Sequence, residues 1–294
     1  MEFNLNGFSA KNIKQDRLSK VSTVAEFEKP PKEALLKILQ TDTEQISLWQ
    51  NKLYAENRQS LLIILQGMDS AGKDGTIKHI MGGVNPQGVL VYSFKHPSEL
   101  ELEHDFLWRH YTKLPQKGMI TIFNRSHYEN VLISKVHPEI VLAEKLPGID
   151  NINKINNHFW KMRYKQINEF EEIITRNGTQ VLKFFLHISK AEQRRRFLKR
   201  IENKEKNWKF SSADIQERGY WGEYEKAYEA ALKNTATKIA PWYIIPSDDK
   251  WFAHLILGKI ILEKLKSMDP SFPKTDVKEI GLMKKAKSKL LNEK

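Results

Sequence analysis

Five short, mainly apolar runs punctuate the chain, at residues 61–65, 89–94, 119–123, 179–186 and 242–245. Runs of this length, rich in β-branched and aromatic residues, suit strands buried on both faces of a parallel sheet. Between them, apolar positions recur at helical spacing. Ile46, Trp49 and Leu53 form one stripe, and Thr41 with Glu44 fits a capping box at its start. Glu99–Tyr111 reads as a helix, and another is expected from Ser126. Residues 138–151, with Pro138, Pro147 and Gly148, read as loop. Ile155, Phe159, Met162, Ile167, Phe170 and Ile174 predict a long amphipathic helix ended by Asn177-Gly178. Ser189 with Glu192 marks a basic helix, Ser211 with Asp214 a further one, and a last helix runs from Lys250 to about Lys266.

This alternation predicts an α/β fold of three layers, with a parallel five-stranded sheet, right-handed crossovers and helices on both faces. Ligands then belong at the carboxyl ends of the strands. The chain divides into an N-terminal arm packing on the core (1–45), one domain (46–270) and a basic tail (271–294). The tail, ending KKAKSKLLNEK, is expected to be solvated or a frayed helix.

Composition narrows the function. The absence of Cys excludes disulfides, thiolate metal sites and a Cys nucleophile. Lys and Arg total 48 against 36 Asp and Glu, a net +12 that implies an anionic partner. Nucleic acid, anionic membrane and polyphosphorylated small molecules all satisfy that charge. No apolar run approaches about 18 residues and no signal-peptide core is evident, so a soluble, cytoplasmic protein is expected.

The first apolar run opens onto the stretch with the clearest chemistry, LLIILQGMDSAGKDGTIKHI. Gly67 and Gly72, with the four residues Met68, Asp69, Ser70 and Ala71 between them and Lys73 following, have the spacing of a phosphate-cradling loop. Glycines let the backbone turn tightly and bring its N–H groups to an anion. Asp74 and Gly75 follow, and Thr76–Met81 reads as a helix whose positive end points at the same anion. Asp74 stands where such loops usually carry a Ser or Thr for Mg²⁺. Carboxylates among phosphates are costly unless a cation lies between them, so Asp69 reads as the metal or water-positioning group.

Two more groups fall at predicted strand ends. Asn124, Arg125 and Ser126 follow the third strand, where an Asp would usually hold the metal. Asn orients but adds no charge. Arg125 is a fork-shaped phosphate donor. Glu129 either faces the same site or pairs with Arg125 at i, i+4 on the surface. After the fourth strand, Arg195, Arg196, Lys199 and Arg200 share an arc of about 140°, with Phe197, Leu198 and Ile201 opposite. With Lys209 beyond it, this helix has the character of a lid, over about residues 192–212, closing on transferring phosphates. Lys95 after the second strand and Arg109 are weaker candidates for an acceptor nucleotide.

Together GMDSAGKDG, FNRSHYE, EQRRRFLKR, NWKFSSAD and PSDDKW resemble the polyphosphate kinase 2 family, over roughly residues 30 to 265. The resemblance implies a P-loop kinase fold similar to thymidylate kinase. It implies reversible transfer of the terminal phosphoryl of inorganic polyphosphate to a nucleotide with Mg²⁺, or Mn²⁺ in its place. Gly67, Asp69, Gly72, Lys73, Asp74 and Gly75 match the family's loop, Asn124, Arg125 and Ser126 its second motif, and Arg195 and Arg196 its lid arginines. The Asn-Arg-Ser-His-Tyr-Glu variant resembles the subclass accepting both mono- and diphosphates, so AMP passes through ADP to ATP. Adenine nucleotides are the expected acceptors, with guanine nucleotides as the alternative. Neither nucleic acid nor membrane is expected as partner, and a homo-oligomer remains open. Two rivals stand: an ATP-dependent nucleoside monophosphate kinase, and a P-loop protein gripping nucleic acid.

Overall fold

A computed structural model describes residues 4–11, 17–25, 30–205 and 207–293, except the side chain of Lys209. In chain order, α1 (Lys32–Glu56) leads into β1 (Ser60–Gln66) and α2 (Lys73–Met81). Next come β2 (Val89–Ser93), the short α3 (Glu99–Leu102) and α4 (Trp108–Tyr111), then β3 (Ile120–Asn124). A 3-10 turn (His127–Val131) precedes α5 (Ile133–Val136) and α6 (Glu139–Leu142), followed by α7 (Asn157–Arg176) and β4 (Thr179–His187). The rest is α8 (Lys190–Glu202), α9 (Ser212–Glu217), α10 (Trp221–Thr235), β5 (Trp242–Pro246), α11 (Lys250–Met268) and α12 (Val277–Leu291).

All five strands are parallel, in the order β2-β3-β1-β4-β5. Every residue of β1 is buried, as a central strand covered on both faces requires. Leu65 pairs with Asn124 of β3 and with Phe184 of β4, so the strands end along one carboxyl edge. α1 and α11 cover one face, and α7 and α10 pack together on the other. Residues 4–11 and 17–25 lie along the β5 side: Ser9 bridges Tyr243, and the Ala10 N–H donates to the Trp242 carbonyl.

Four local expectations are corrected. The capping box at Thr41 and Glu44 does not form, because α1 starts at Lys32 and runs unbroken through residue 45, the expected edge of the arm. Leu35, Leu39, Ile46 and Leu53 are buried along its whole length, and that continuous face on α11 outweighs the local cap signal. Thr41 instead donates to the Lys37 carbonyl within the helix. The helix expected over Glu99–Tyr111 is two, because the Asp105 carboxylate accepts from the Leu107 N–H and restarts the chain. At Ser126 the hydroxyl does cap, accepting from the Tyr128 N–H, but the turn it starts is 3-10. Residues 138–151 contain α6. The basic tail forms α12, which buries no residue.

Beneath the α7 and α10 face lies a closed polar network. Lys183, in the middle of β4 with no exposure, donates to Glu171 Oε2 (2.6 Å), Tyr128 OH (2.8 Å) and the Thr235 carbonyl (2.8 Å). Tyr128 donates to Glu171 Oε1 at 2.8 Å. Burial pushes the Lys183 ammonium down, and Glu171 opposes that shift. Removing one partner of such a pair strands a buried charge, at a cost of about 3–5 kcal/mol. Lys183→Met is expected to lose stability in that range by urea unfolding. Combining it with Glu171→Leu is expected to recover part of the loss.

Candidate active site

β1 delivers the chain to the carboxyl edge at Gly67, where the backbone passes against β4. A Cβ there would sit 2.9 Å from the Leu186 carbonyl oxygen and 3.1 Å from the Ala71 Cβ. Ser70 (φ +62°) and Gly72 (φ +108°) then turn the loop back through left-handed conformations. Gly72 caps α2, which starts at Lys73 and not at Thr76, since the Thr76 N–H already bonds the Gly72 carbonyl. Thr76 Oγ1 adds a 3.0 Å bond to the same oxygen, and Met68 and Ala71 are buried beneath the loop. Gly75 lies in the first turn of α2 with open space around it.

Lys73 Nζ lies 2.6 Å from the Gly67 carbonyl and 3.4 Å from that of Met68, inside the loop's own curve. Burial lowers its pKa, Arg125 lowers it further, and Asp69, Glu129 and Asp74 oppose them. Arg125 arrives from the end of β3 with φ +63° and its N–H bonded to the Leu65 carbonyl. Its guanidinium donates to Asp69 Oδ1 at 2.9 Å. Burial disfavours the Arg125 charge, but Glu129 and Asp69 outweigh it and hold the group protonated. Burial raises the Glu129 carboxyl, with Arg125 and Lys73 pulling the other way. The surface pair of Arg125 with Glu129 gives way to this inward arrangement, because a 3-10 turn does not set i and i+4 in α-helical register.

Asn124 Nδ2 donates to Asp74 Oδ1 at 2.8 Å, so the Asn at this strand end holds the loop's second carboxylate. Ser126 Oγ accepts from Gln66 Nε2 at 3.1 Å and from the Tyr128 N–H, pinning the second motif to β1.

The basic helix α8 divides its cations. Only Phe197 of the expected apolar arc is buried, while Leu198 and Ile201 are exposed. Arg195 and Lys199 are also exposed, and Arg195 donates from Nε and Nη2 back to the Glu192 carboxylate. Arg196 and Arg200 turn inward. Arg196 Nη1 donates to the carbonyls of Ser70 (3.0 Å) and Ala71 (2.8 Å), its Nη2 to those of Ser247 and Asp248, and its Nε to Glu192. Arg200 donates to Ser70 Oγ at 2.6 Å and to Asp214 Oδ2 at 3.2 Å. The Lys209 side chain lies outside the described residues. Lys95 is exposed beyond β2, and Arg109 pairs with Glu101 at 3.3 Å while lying 5.2 Å over the Phe94 ring.

Several residues at the site escaped the sequence. Gln193 is buried and donates to the Asp69 carbonyl at 2.9 Å. It sits four residues before Phe197, and that inward-facing register was the available signal. Asp214 also belongs here: burial raises its carboxyl, and Asp69 adds to the rise. Tyr228 of α10 packs deep against the same charges, its phenol pushed up by burial and then by Glu129 and Asp69.

Among the described residues no three His, Asp or Glu side chains group closely enough to hold a metal ion alone. Mg²⁺ characteristically takes one or two carboxylates and completes its shell with water and substrate phosphate. Asp69 and Asp74, flanking Lys73 on the loop, fit that donor set.

A phosphate loop at the end of the central strand, in a parallel sheet of this order, places the protein in the class of P-loop kinases. Comparison with known proteins narrows the class. The family model Polyphosphate kinase 2 (PPK2) matches residues 31–273. An ADP-polyphosphate phosphotransferase of Rhodopseudomonas palustris is 51% identical over 244 residues, covering 83% of each chain. An AMP/ADP-polyphosphate phosphotransferase of Meiothermus ruber is 42% identical over 245 residues, 83% of this chain and 86% of that one. The crystal structure of polyphosphate kinase 2 from Arthrobacter aurescens superposes with a TM-score of 0.82 at 35% identity, covering 91% of this chain and 92% of the other. The chain belongs to the polyphosphate kinase 2 family. Among the described residues no helix is long and apolar enough to cross a membrane.

The close approach at Gly67 yields a test. Gly67→Ala drives a methyl against a strand carbonyl that cannot yield, and overpacking of this kind costs about 1–3 kcal/mol. A lower melting temperature together with weaker triphosphate binding by calorimetry is the expected result.

Proposed function

We propose that this protein transfers the terminal phosphoryl group of inorganic polyphosphate to nucleoside mono- and diphosphates, taking AMP to ADP and ADP to ATP, reversibly. The observation that carries the reading is the convergence of Lys73, Arg125 and Asp69 on one phosphate loop, in a chain of this family. The Rhodopseudomonas relative is named for polyphosphate and ADP, and the Meiothermus relative for polyphosphate with AMP and ADP, which supports this donor and these acceptors.

Phosphoryl transfer of this kind needs positioning and charge neutralisation more than a covalent intermediate. Lys73 and the loop amides bind the phosphates. Arg125, fixed by its bond to Asp69, orients a fork of donors toward the transferring group. Burial and then Arg125 lower the Lys73 pKa, and an anion brought beside the two cations opposes both effects, so the cationic pair favours the ligand it serves. Asp69 and Asp74 would hold Mg²⁺, with Mn²⁺ as substitute, and the ion would screen the phosphate charges from those carboxylates. Arg195 and Lys199, on the outer arc of α8, draw the polyanion toward the site.

A donor–acceptor matrix of polyphosphate or ATP against AMP, ADP, GMP and GDP tests the proposal. Formation of ATP from ADP and polyphosphate without added ATP is expected. Activity with ATP alone as donor would identify a nucleoside monophosphate kinase instead. Lys73→Ala is expected to remove most turnover while keeping its unfolding midpoint. Asp69→Asn is expected to cost roughly 10²-fold in rate, about 2.7 kcal/mol, and to raise the Mg²⁺ requirement in a metal titration. For Arg195→Ala the expected change is a weaker apparent affinity for polyphosphate that fades at high salt, with the saturated rate retained.

A further inference from the structure

A loop that turns its N–H groups toward an anion turns the carbonyls of the same peptides outward. Those carbonyls have no partner within the loop's own fold and need one elsewhere. Here three consecutive ones, of Asp69, Ser70 and Ala71, are taken by side chains of α8. The donors are Gln193 and Arg196, and Arg200 adds a bond to the Ser70 hydroxyl. Gln193, Arg196 and Arg200 lie within an arc of about 60° on the helix, a stripe separate from exposed Arg195 and Lys199.

The stripe is braced from behind. Arg196 donates to the Ser247 and Asp248 carbonyls at the end of β5, and Arg218 donates to Gln193 Oε1 at 2.8 Å. Asp248 in turn accepts from the Ser189 N–H that opens α8, at 2.8 Å. Each of the five guanidinium N–H groups of Arg196 thus meets a protein acceptor.

We propose that Gln193, Arg196 and Arg200 form a clamp that holds the outer wall of the phosphate loop and so keeps its amides turned toward the anion. Arg196 is then a positioning residue that acts through the loop, and not a phosphate-contacting lid arginine. The phosphate-binding role of the loop rests on the function proposed above, but the clamp itself is a statement about the loop's backbone. Lysine at position 196 keeps the charge and loses the fork that reaches carbonyls on two sides. Leucine at position 193 removes the bond to the Asp69 carbonyl and the one from Arg218 without changing any charge.

Hydrogen exchange by mass spectrometry on the full chain, free and with inorganic triphosphate, reads the loop directly and needs no turnover. In Arg196→Lys, and separately in Gln193→Leu, amide exchange over residues 67–73 is expected to rise by about tenfold, with the rest of the sheet unchanged. Triphosphate affinity is expected to fall with it. Arg195→Ala is expected to leave loop exchange as it is. Unchanged loop exchange in the two clamp variants overturns the proposal, as does acceleration spread evenly over the sheet. Should Arg196→Lys fail to fold, the charge-neutral Gln193→Leu decides. Faster loop exchange in a protein that proves inactive with polyphosphate would keep the clamp and discard the substrate.

Discussion

Lys183 stands in the middle of β4, shut off from solvent, and its ammonium is compensated by Glu171, Tyr128 and the Thr235 carbonyl. One charge thereby ties β4 to α7, to α10 and to the turn that follows β3. A charge in that position must find all its partners or shift its protonation, which makes the arrangement close to all-or-none. The consequence for the site is direct. Tyr128 lies two residues after Ser126 and three after Arg125, so the buried end of the turn is fixed while its outer end carries the guanidinium. The left-handed backbone at Arg125 is held between that anchor and the bond from its N–H to Leu65.

The other half of the site is held from the opposite side. β1 leads into Gly67, where β4 passes too closely for a side chain, and the loop that follows has few bonds of its own. α8 supplies what is missing by bonding the outer carbonyls. Two opposed supports, the Lys183 network beneath Arg125 and the α8 stripe behind the loop, set the spacing across which Arg125 reaches Asp69.

Charge is layered across the same space. Lys73 is part-buried beside Asp69, Arg125 and a Glu129 whose carboxyl is raised by burial, with Asp74 exposed at the rim. Arg196 and Arg200 form a second layer turned onto the loop, and Arg195 and Lys199 a third facing solvent. The arrangement suits a chain with a net charge of +12 that handles a polyanion: solvent-facing cations attract at long range, and Lys73 and Arg125 act at close range.

Short-range constraints were readable in the sequence. The five apolar runs located all five strands, and Gly67, Gly72 and Lys73 located the loop, because strand burial, tight turning and helix starts depend on neighbouring residues. Placement of Asn124 and Arg125 at a strand end followed from the same logic. The exceptions arose wherever a distant partner decided. Thr41 and Glu44 carry a cap signal, yet α1 continues through them because its buried face on α11 is longer than any local preference. Four cations of α8 share an arc in the sequence, and nothing in their spacing separates Arg196 from Arg195. That division depends on where the loop carbonyls and the end of β5 fall in space. Gln193, Lys183 and Glu171 read as ordinary polar positions until the fold buries them. The sequence by itself determined the elements and the chemistry on offer at each strand end. The tertiary structure decided which charges face the phosphate and which support the backbone, because a buried hydrogen bond is set by partners that the chain brings together only on folding.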